Sequence, residues 1–234
     1  MKIVGLITEY NPFHNGHLYH IQEAKRVTGA DAAVVIMSGN FVQRGTPAIM
    51  PKHLRVKAAL LSGADLVLEL PVCFATGSAE FFSMGSVALL DSLGCIDSIC
   101  FGSECGDSKT LGKIARILAE EPGDYKNVLQ DALRKGVSFP QARQTALTQY
   151  FDMPSTDPDR ISSVNAKTVA AILSQPNNIL GIEYMKALYK RNSSMKAYSI
   201  KRIGAGYHES ELTESYSSAL SLIHISEPTR LGMI

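Results

Sequence analysis

His14 and His17 are separated only by Asn15 and Gly16 in the run Asn11-Pro12-Phe13-His14-Asn15-Gly16-His17. An imidazole that donates a hydrogen bond stabilises negative charge growing on phosphate oxygens, and a glycine between two imidazoles leaves room for a nucleotide to approach the backbone. The chemistry these types and this spacing suggest is attack on a phosphate of a bound nucleotide. His20, three residues past His17, either lines the same pocket or faces solvent. The motif has this meaning only where it follows a strand and opens a helix, whose first-turn amides favour an anion.

The surrounding pattern supplies that context. Nearly continuous apolar runs at 2–8, 31–37, 65–70 and 97–101 suit strands covered on both faces, as in a parallel sheet. Helical periodicity occupies 17–27, 51–61 and 78–93 between them. This alternation predicts an α/β fold with a doubly wound parallel sheet, in which ligands bind beyond the carboxyl ends of the strands. Residues 1–107 form the predicted core and 108–195 a mainly helical insert, after which a strand near 197–203 returns to the core within 196–219. The last stretch, 220–234, is unlike the rest and is read as a non-native, adapter-like tail on a truncated chain.

The 234 residues include 23 Lys plus Arg against 22 Asp plus Glu, with 45% hydrophobic and 19% charged residues. This balance is that of a globular protein and excludes a disordered or collagen-like polymer. A net charge of +1 gives no global basic field, so an RNA partner must be read from a local patch. The amino-terminal apolar run is too short for a secretion signal or a membrane span, so the expectation is a cytoplasmic protein with no membrane partner. Cys73, Cys95, Cys100 and Cys105 contain no CxxC pair and read as buried reduced thiols, not as a metal site.

His14-Asn15-Gly16-His17 resembles the HxGH signature of the nucleotidyltransferase superfamily, which implies a Rossmann-like fold. A wider series is more specific: 5–20 (GLITEYNPFHNGHLYH), 37–45 (MSGNFVQRG), 69–71 (ELP), 101–104 (FGSE), 176–181 (PNNILG) and 202–208 (RIGAGYH). Together these are similar to the tRNA(Met) cytidine acetate ligase family, in order from residue 1 to about 219. The resemblance implies a ligase forming a carbon–nitrogen bond. It would activate acetate with ATP as acetyl-adenylate, then acetylate N4 of the wobble cytidine of elongator tRNA(Met).

The same resemblance implies the site residues. ATP would be bound by Ile7, Thr8, Glu9, Tyr10, Asn11, Pro12, Phe13, His14, Asn15, Gly16, His17, Leu18, Tyr19 and His20, joined by Gly102, Asn177 and Arg202. His14 and His17 would be catalytic. Gly102 would let the adenosine lie close to the backbone, Asn177 would offer amide hydrogen bonds, and Arg202 a fixed positive fork. Gly102 also reads as a plain strand-ending turn and Asn177 as a helix cap before Ile179. Arg44 and Lys52 are secondary candidates for phosphate or acetate.

Mg2+ is compatible with ATP chemistry but needs no carboxylate signature, since it binds mainly through phosphate oxygens. The superfamily places a Ser-rich loop and a following Arg near the triphosphate. Residues 215–219 (SYSSA) begin such a loop here, but the expected Arg is absent from its place and Arg230 does not inherit the role. From Lys186 to Arg202 there are six basic residues and no acidic one, a stripe able to neutralise tRNA phosphates or simply to face water. Two alternatives stay open: adenylyl transfer to a small-molecule acceptor, and an inactive nucleotide- or RNA-binding fragment.

Overall fold

The computed structural model describes residues 1–154 and 164–202. The regions predicted at 203–219 and 220–234, including the Ser-rich loop and the adapter-like tail, lie outside the described residues.

Five strands, β1 (Ile3–Thr8), β2 (Ala32–Ser38), β3 (Leu66–Leu70), β4 (Ser98–Ser103) and β5 (Lys196–Lys201), pair in the order β3-β2-β1-β4-β5. Every pairing is parallel, as the continuous apolar runs required. Side chains alternate between two cores. Val4, Leu6, Val35 and Met37 point to the face covered by α1 (Asn15–Thr28) and α2 (Lys52–Leu61), whose Ile21, Ala24 and Ala59 share that cluster. Ile3, Val34, Ile36, Ile99 and Phe101 point to the other face. There they meet α4 (Ala79–Ser92), which follows the single turn α3 (Val72–Ala75).

Among the described residues, five helices separate β4 from β5: α5 (Ser108–Glu120), α6 (Gly123–Arg134), α7 (Phe139–Asp152), α8 (Ala166–Leu173) and α9 (Pro176–Arg191). They share one continuous core with the sheet through Leu111, Tyr125, Leu147, Val169 and Ile182. Helix α9 lies against β4 closely enough that a Cβ on Gly181 would collide with the Phe101 ring. Arg143, Glu183, Lys186 and Glu80 form a largely buried ion network that ties α7 and α9 to α4.

One device recurs at the amino edge of the sheet. Asp31, Asp65 and Asp97 each precede a strand, and each accepts a backbone N–H at the start of its neighbour: Lys2, Ala33 and Ile3, all at 2.7 Å. The carboxyl edge is built differently. β1 pairs with β2 over six residues, but with β4 only through Val4 with Ser98 and Gly5 with Ile99. The carboxyl halves of β1 and β4 therefore have no ladder between them, and this is where the strand order switches direction. A crevice at such a point is where doubly wound sheets bind ligands.

The cysteine expectation needs correction. Cys100 is buried in β4 and Cys105 is half-buried, but Cys73 and Cys95 are exposed, one on the single turn of α3 and one in the turn before β4. Apolar sequence neighbours do not bury a residue on the outer side of so short a helix.

Candidate active site

β1 delivers the chain to Tyr10, a buried tyrosine in the left-handed region at φ 50°, followed by a cis Asn11–Pro12 bond. The Tyr10 ring meets Phe13 and His17 edge-on, each at 4.9 Å between centroids. This aromatic packing sets the entry to α1. Glu9 Oε1 accepts the Gln43 N–H at 2.7 Å and Asn11 Oδ1 accepts that of Ile49 at 2.8 Å, so the 40–50 loop is pinned to the stretch before the histidines.

His14 is the N-cap of α1. Its Nδ1 accepts from the Gly16 N–H at 3.1 Å, and the His17 Nδ1 accepts from the His14 N–H at 3.3 Å, a reciprocal capping box made by two imidazoles. The rings stack with centroids 3.7 Å apart. An Nδ1 that accepts carries no proton, so a neutral ring must carry it on Nε2. Both rings are held neutral. Burial, then the nearby Arg202 charge, lowers His14 to about 4. Burial, followed by His14, His20 and Arg202, holds His17 well below the ordinary histidine value. The motif therefore presents two Nε2–H donors with no net charge of its own.

The geometry adds two details to the sequence reading. Two of the first-turn amides are already engaged, the Gly16 N–H by His14 Nδ1 and the His17 N–H by the His14 carbonyl at 2.9 Å. Gly16 serves the cap before any nucleotide: a Cβ there would lie 2.9 Å from His14 Cε1.

His20 is half-buried. Burial, then Arg202, lowers it to about 4, opposed by a hydrogen bond with the Cys100 backbone, and its Nε2 is enclosed without a partner among the described residues. The Arg202 N–H donates to the Ser103 carbonyl at 2.9 Å, continuing the β4–β5 ladder, and its stem passes the open face of Gly102, where a Cβ would meet Arg202 Cγ at 3.4 Å. The crevice thus gathers His14, His17, His20, Gly102 and Arg202 from β1, α1, β4 and β5.

Other predicted residues act as framework. Ile7 packs against the sheet core, and Phe13 and Tyr19 pack against the opposite one. Pro12 and Leu18 are half-buried and Asn15 is exposed. Asn177 lies in the first turn of α9, whose cap is Gln175, so it is not the cap. Lys52 is ion-paired with Glu69. The Arg44 side chain lies outside the described set. Of the basic stripe, Lys186 is buried in the ion network and Arg191 pairs with Asp91 at 2.9 Å, which leaves Lys190, Lys196, Lys201 and Arg202 on the surface.

Two residues were not singled out from sequence. Arg55 is 1% exposed and donates from Nη1 to the carbonyls of Glu9 (2.6 Å) and Ser38 (3.1 Å), from Nη2 to Gly39, and from Nε to Met50 (3.0 Å). It binds together the carboxyl ends of β1 and β2, and its one sequence signal is its place four residues before Ala59 on the inward face of α2. Glu104, two residues past Gly102, accepts the Asn177 Nδ2–H at 2.7 Å and the Asn178 N–H at 3.0 Å. Among the described residues, no three His, Cys, Asp or Glu side chains gather as a metal site, and no helix is long and apolar enough to cross a membrane.

Comparison with known proteins agrees with this geometry. The family model described as HIGH Nucleotidyl Transferase matches residues 1–227. A tRNA(Met) cytidine acetate ligase of Acetivibrio thermocellus is 51% identical over 222 residues, covering 95% of this chain and 51% of that protein. One of Clostridium novyi is 50% identical over 235 residues, covering 100% and 56%. The crystal structure of Thermotoga maritima TmcAL bound with alpha-thio ATP superposes with a TM-score of 0.87 at 41% identity, over 99% of this chain and 52% of that one. Its apo form gives 0.90. The chain spans about half the length of these relatives. A parallel sheet with a capped His-Asn-Gly-His at its switch point, matched by the model over nearly the whole sequence, places the chain in the HIGH nucleotidyl transferase family.

Proposed function

We propose that this chain carries the nucleotide site of an ATP-dependent ligase that activates acetate as acetyl-adenylate and passes the acetyl group to N4 of the wobble cytidine of elongator tRNA(Met). The observation that carries the reading is the pair of stacked, neutral imidazoles whose Nδ1 atoms are occupied and whose Nε2–H groups remain to donate. The relatives named tRNA(Met) cytidine acetate ligase, and the TmcAL crystal structure bound with an ATP analogue, support the choice of substrates.

In the first step an acetate oxygen attacks the α-phosphorus, the bond to the bridging oxygen breaks, and pyrophosphate leaves. His14 and His17 donate to phosphate oxygens as charge shifts onto them. Arg202 adds a fixed positive charge from the opposite wall. In the second step N4 of the cytidine attacks the acetyl carbon, AMP leaves, and the nitrogen loses a proton. Mg2+ would enter on the nucleotide's own phosphate oxygens. Lys190, Lys196 and Lys201 are the exposed cations that would face tRNA phosphates.

The test is ATP/pyrophosphate exchange with and without acetate, in the absence of tRNA, on the chain joined to a carboxyl-terminal half such as its relatives have. Acetate-dependent exchange is the expected result, and His17→Ala should slow it by about 100-fold. Nucleotide binding without exchange would favour the binding-fragment reading. Exchange that ignores acetate but responds to another nucleophile would favour a different acceptor.

A further inference from the structure

We propose that Glu104 sets the base selectivity of the nucleotide site, by fixing which way the Asn177 carboxamide faces. The inference rests on the nucleotide-binding reading above and extends it to the choice of base.

A carboxylate only accepts hydrogen bonds. Glu104 Oε1 lies 2.7 Å from one end of the Asn177 amide, and that end must be Nδ2, because Oδ1 in its place would set two acceptors against each other. The carboxylate cannot swing away to permit a flip, since its other oxygen accepts the Asn178 N–H in the first turn of α9, where the helix dipole also favours negative charge. Asn178 closes the arrangement: its Oδ1 accepts the Cys105 N–H at 3.0 Å and its Nδ2 donates to the Ile172 carbonyl at 3.2 Å. The start of α9 and the residues after β4 are thus locked in one register.

With one amide hydrogen spent on Glu104, Asn177 has Oδ1 and one N–H left for a ligand. This acceptor–donor pair complements the 6-amino group and ring nitrogen of adenine. Guanine presents a 6-oxo acceptor at the same position. The placement fits: phosphates held by the histidines past β1 leave sugar and base to extend across the crevice towards the end of β4, where Gly102 lies two residues before Glu104. The site therefore takes a 6-amino purine nucleotide in preference to a 6-oxo one, and Glu104 acts through Asn177 as a positioning residue.

The experiment is equilibrium binding of ATP and of GTP to the chain and to two variants, Glu104→Gln and Asn177→Leu, with a thermal melt of each. Glu104→Gln keeps the shape but supplies an amide that can donate to a flipped Asn177. Its ATP-over-GTP ratio should fall by roughly 5- to 150-fold, the range of a good bidentate base contact. Asn177→Leu leaves Glu104 on the helix and should lose ATP affinity while GTP affinity stays within about twofold, so it carries the test if Glu104→Gln fails to fold. Equal weakening of both nucleotides, or an unchanged ratio, would make Glu104 a structural clamp and overturn the proposal. A wild-type chain that binds ATP and GTP alike overturns it too, with the nucleotide site intact. Binding of neither nucleotide would instead remove the reading on which it rests.

Discussion

At the level of single residues, the site is organised by what each histidine nitrogen already does. Because His14 and His17 use Nδ1 to cap α1, their tautomer is set before any ligand arrives. Gly16 is part of the same device, since a methyl group 2.9 Å from His14 Cε1 would push the ring off its stack. Gly16→Ala should leave the melting temperature within a few degrees yet slow adenylylation by about 100-fold, the cost of misplacing a group by about an ångström. Rates within threefold of wild type would show that the ring position does not matter. The histidines, Gly102 and Arg202 were legible because motif and strand ends announce them. Spacing does not reveal that Gly16 also makes room for a neighbouring imidazole, or that Glu104 holds one end of the Asn177 amide.

The elements show the complementary side. The four strand-and-helix alternations were readable within one or two residues, since continuous Val, Ile and Leu runs between helical periods have few other solutions. Arg55 was hidden because a buried arginine on α2 looks like any surface arginine until its four carbonyl partners are known. It grips Glu9, Ser38 and Gly39 where β1 and β2 end, so it holds the start of the histidine segment from beneath. Arg55→Met should destabilise the fold by about 3 to 5 kcal/mol in urea unfolding, because buried carbonyls lose a charged donor. Arg55→Lys should recover only part, having no fork. A loss under about 1 kcal/mol for the Met variant would mean that water or another donor replaces it.

For the whole molecule, three neutral, half-buried histidines make stability depend on pH. Their folded values lie below the ordinary 6.5, about 4 for His14 and His20, so the unfolded chain binds protons that the folded one refuses. Stability is full above about 6.5 and falls as pH drops towards 4. Carboxylates such as Asp65, lowered first by its Lys25 hydrogen bond, and Glu80, lowered first by Lys186, add their own loss only below the ordinary carboxylate range. The urea midpoint should therefore fall between pH 7 and pH 5, and His20→Gln should flatten that slope; a midpoint level over this interval would contradict the buried neutral state.

The strand order has a kinetic corollary as well. β5, which carries the chain to Arg202, lies at the edge of the sheet among the described residues and pairs with β4 only after an excursion that includes five described helices. Closing so long a loop into a parallel pair is slow, so the histidines can be capped and stacked well before the Arg202 guanidinium arrives. A nucleotide site that needs Arg202 would therefore be completed late in folding, when the β5 side of the sheet docks.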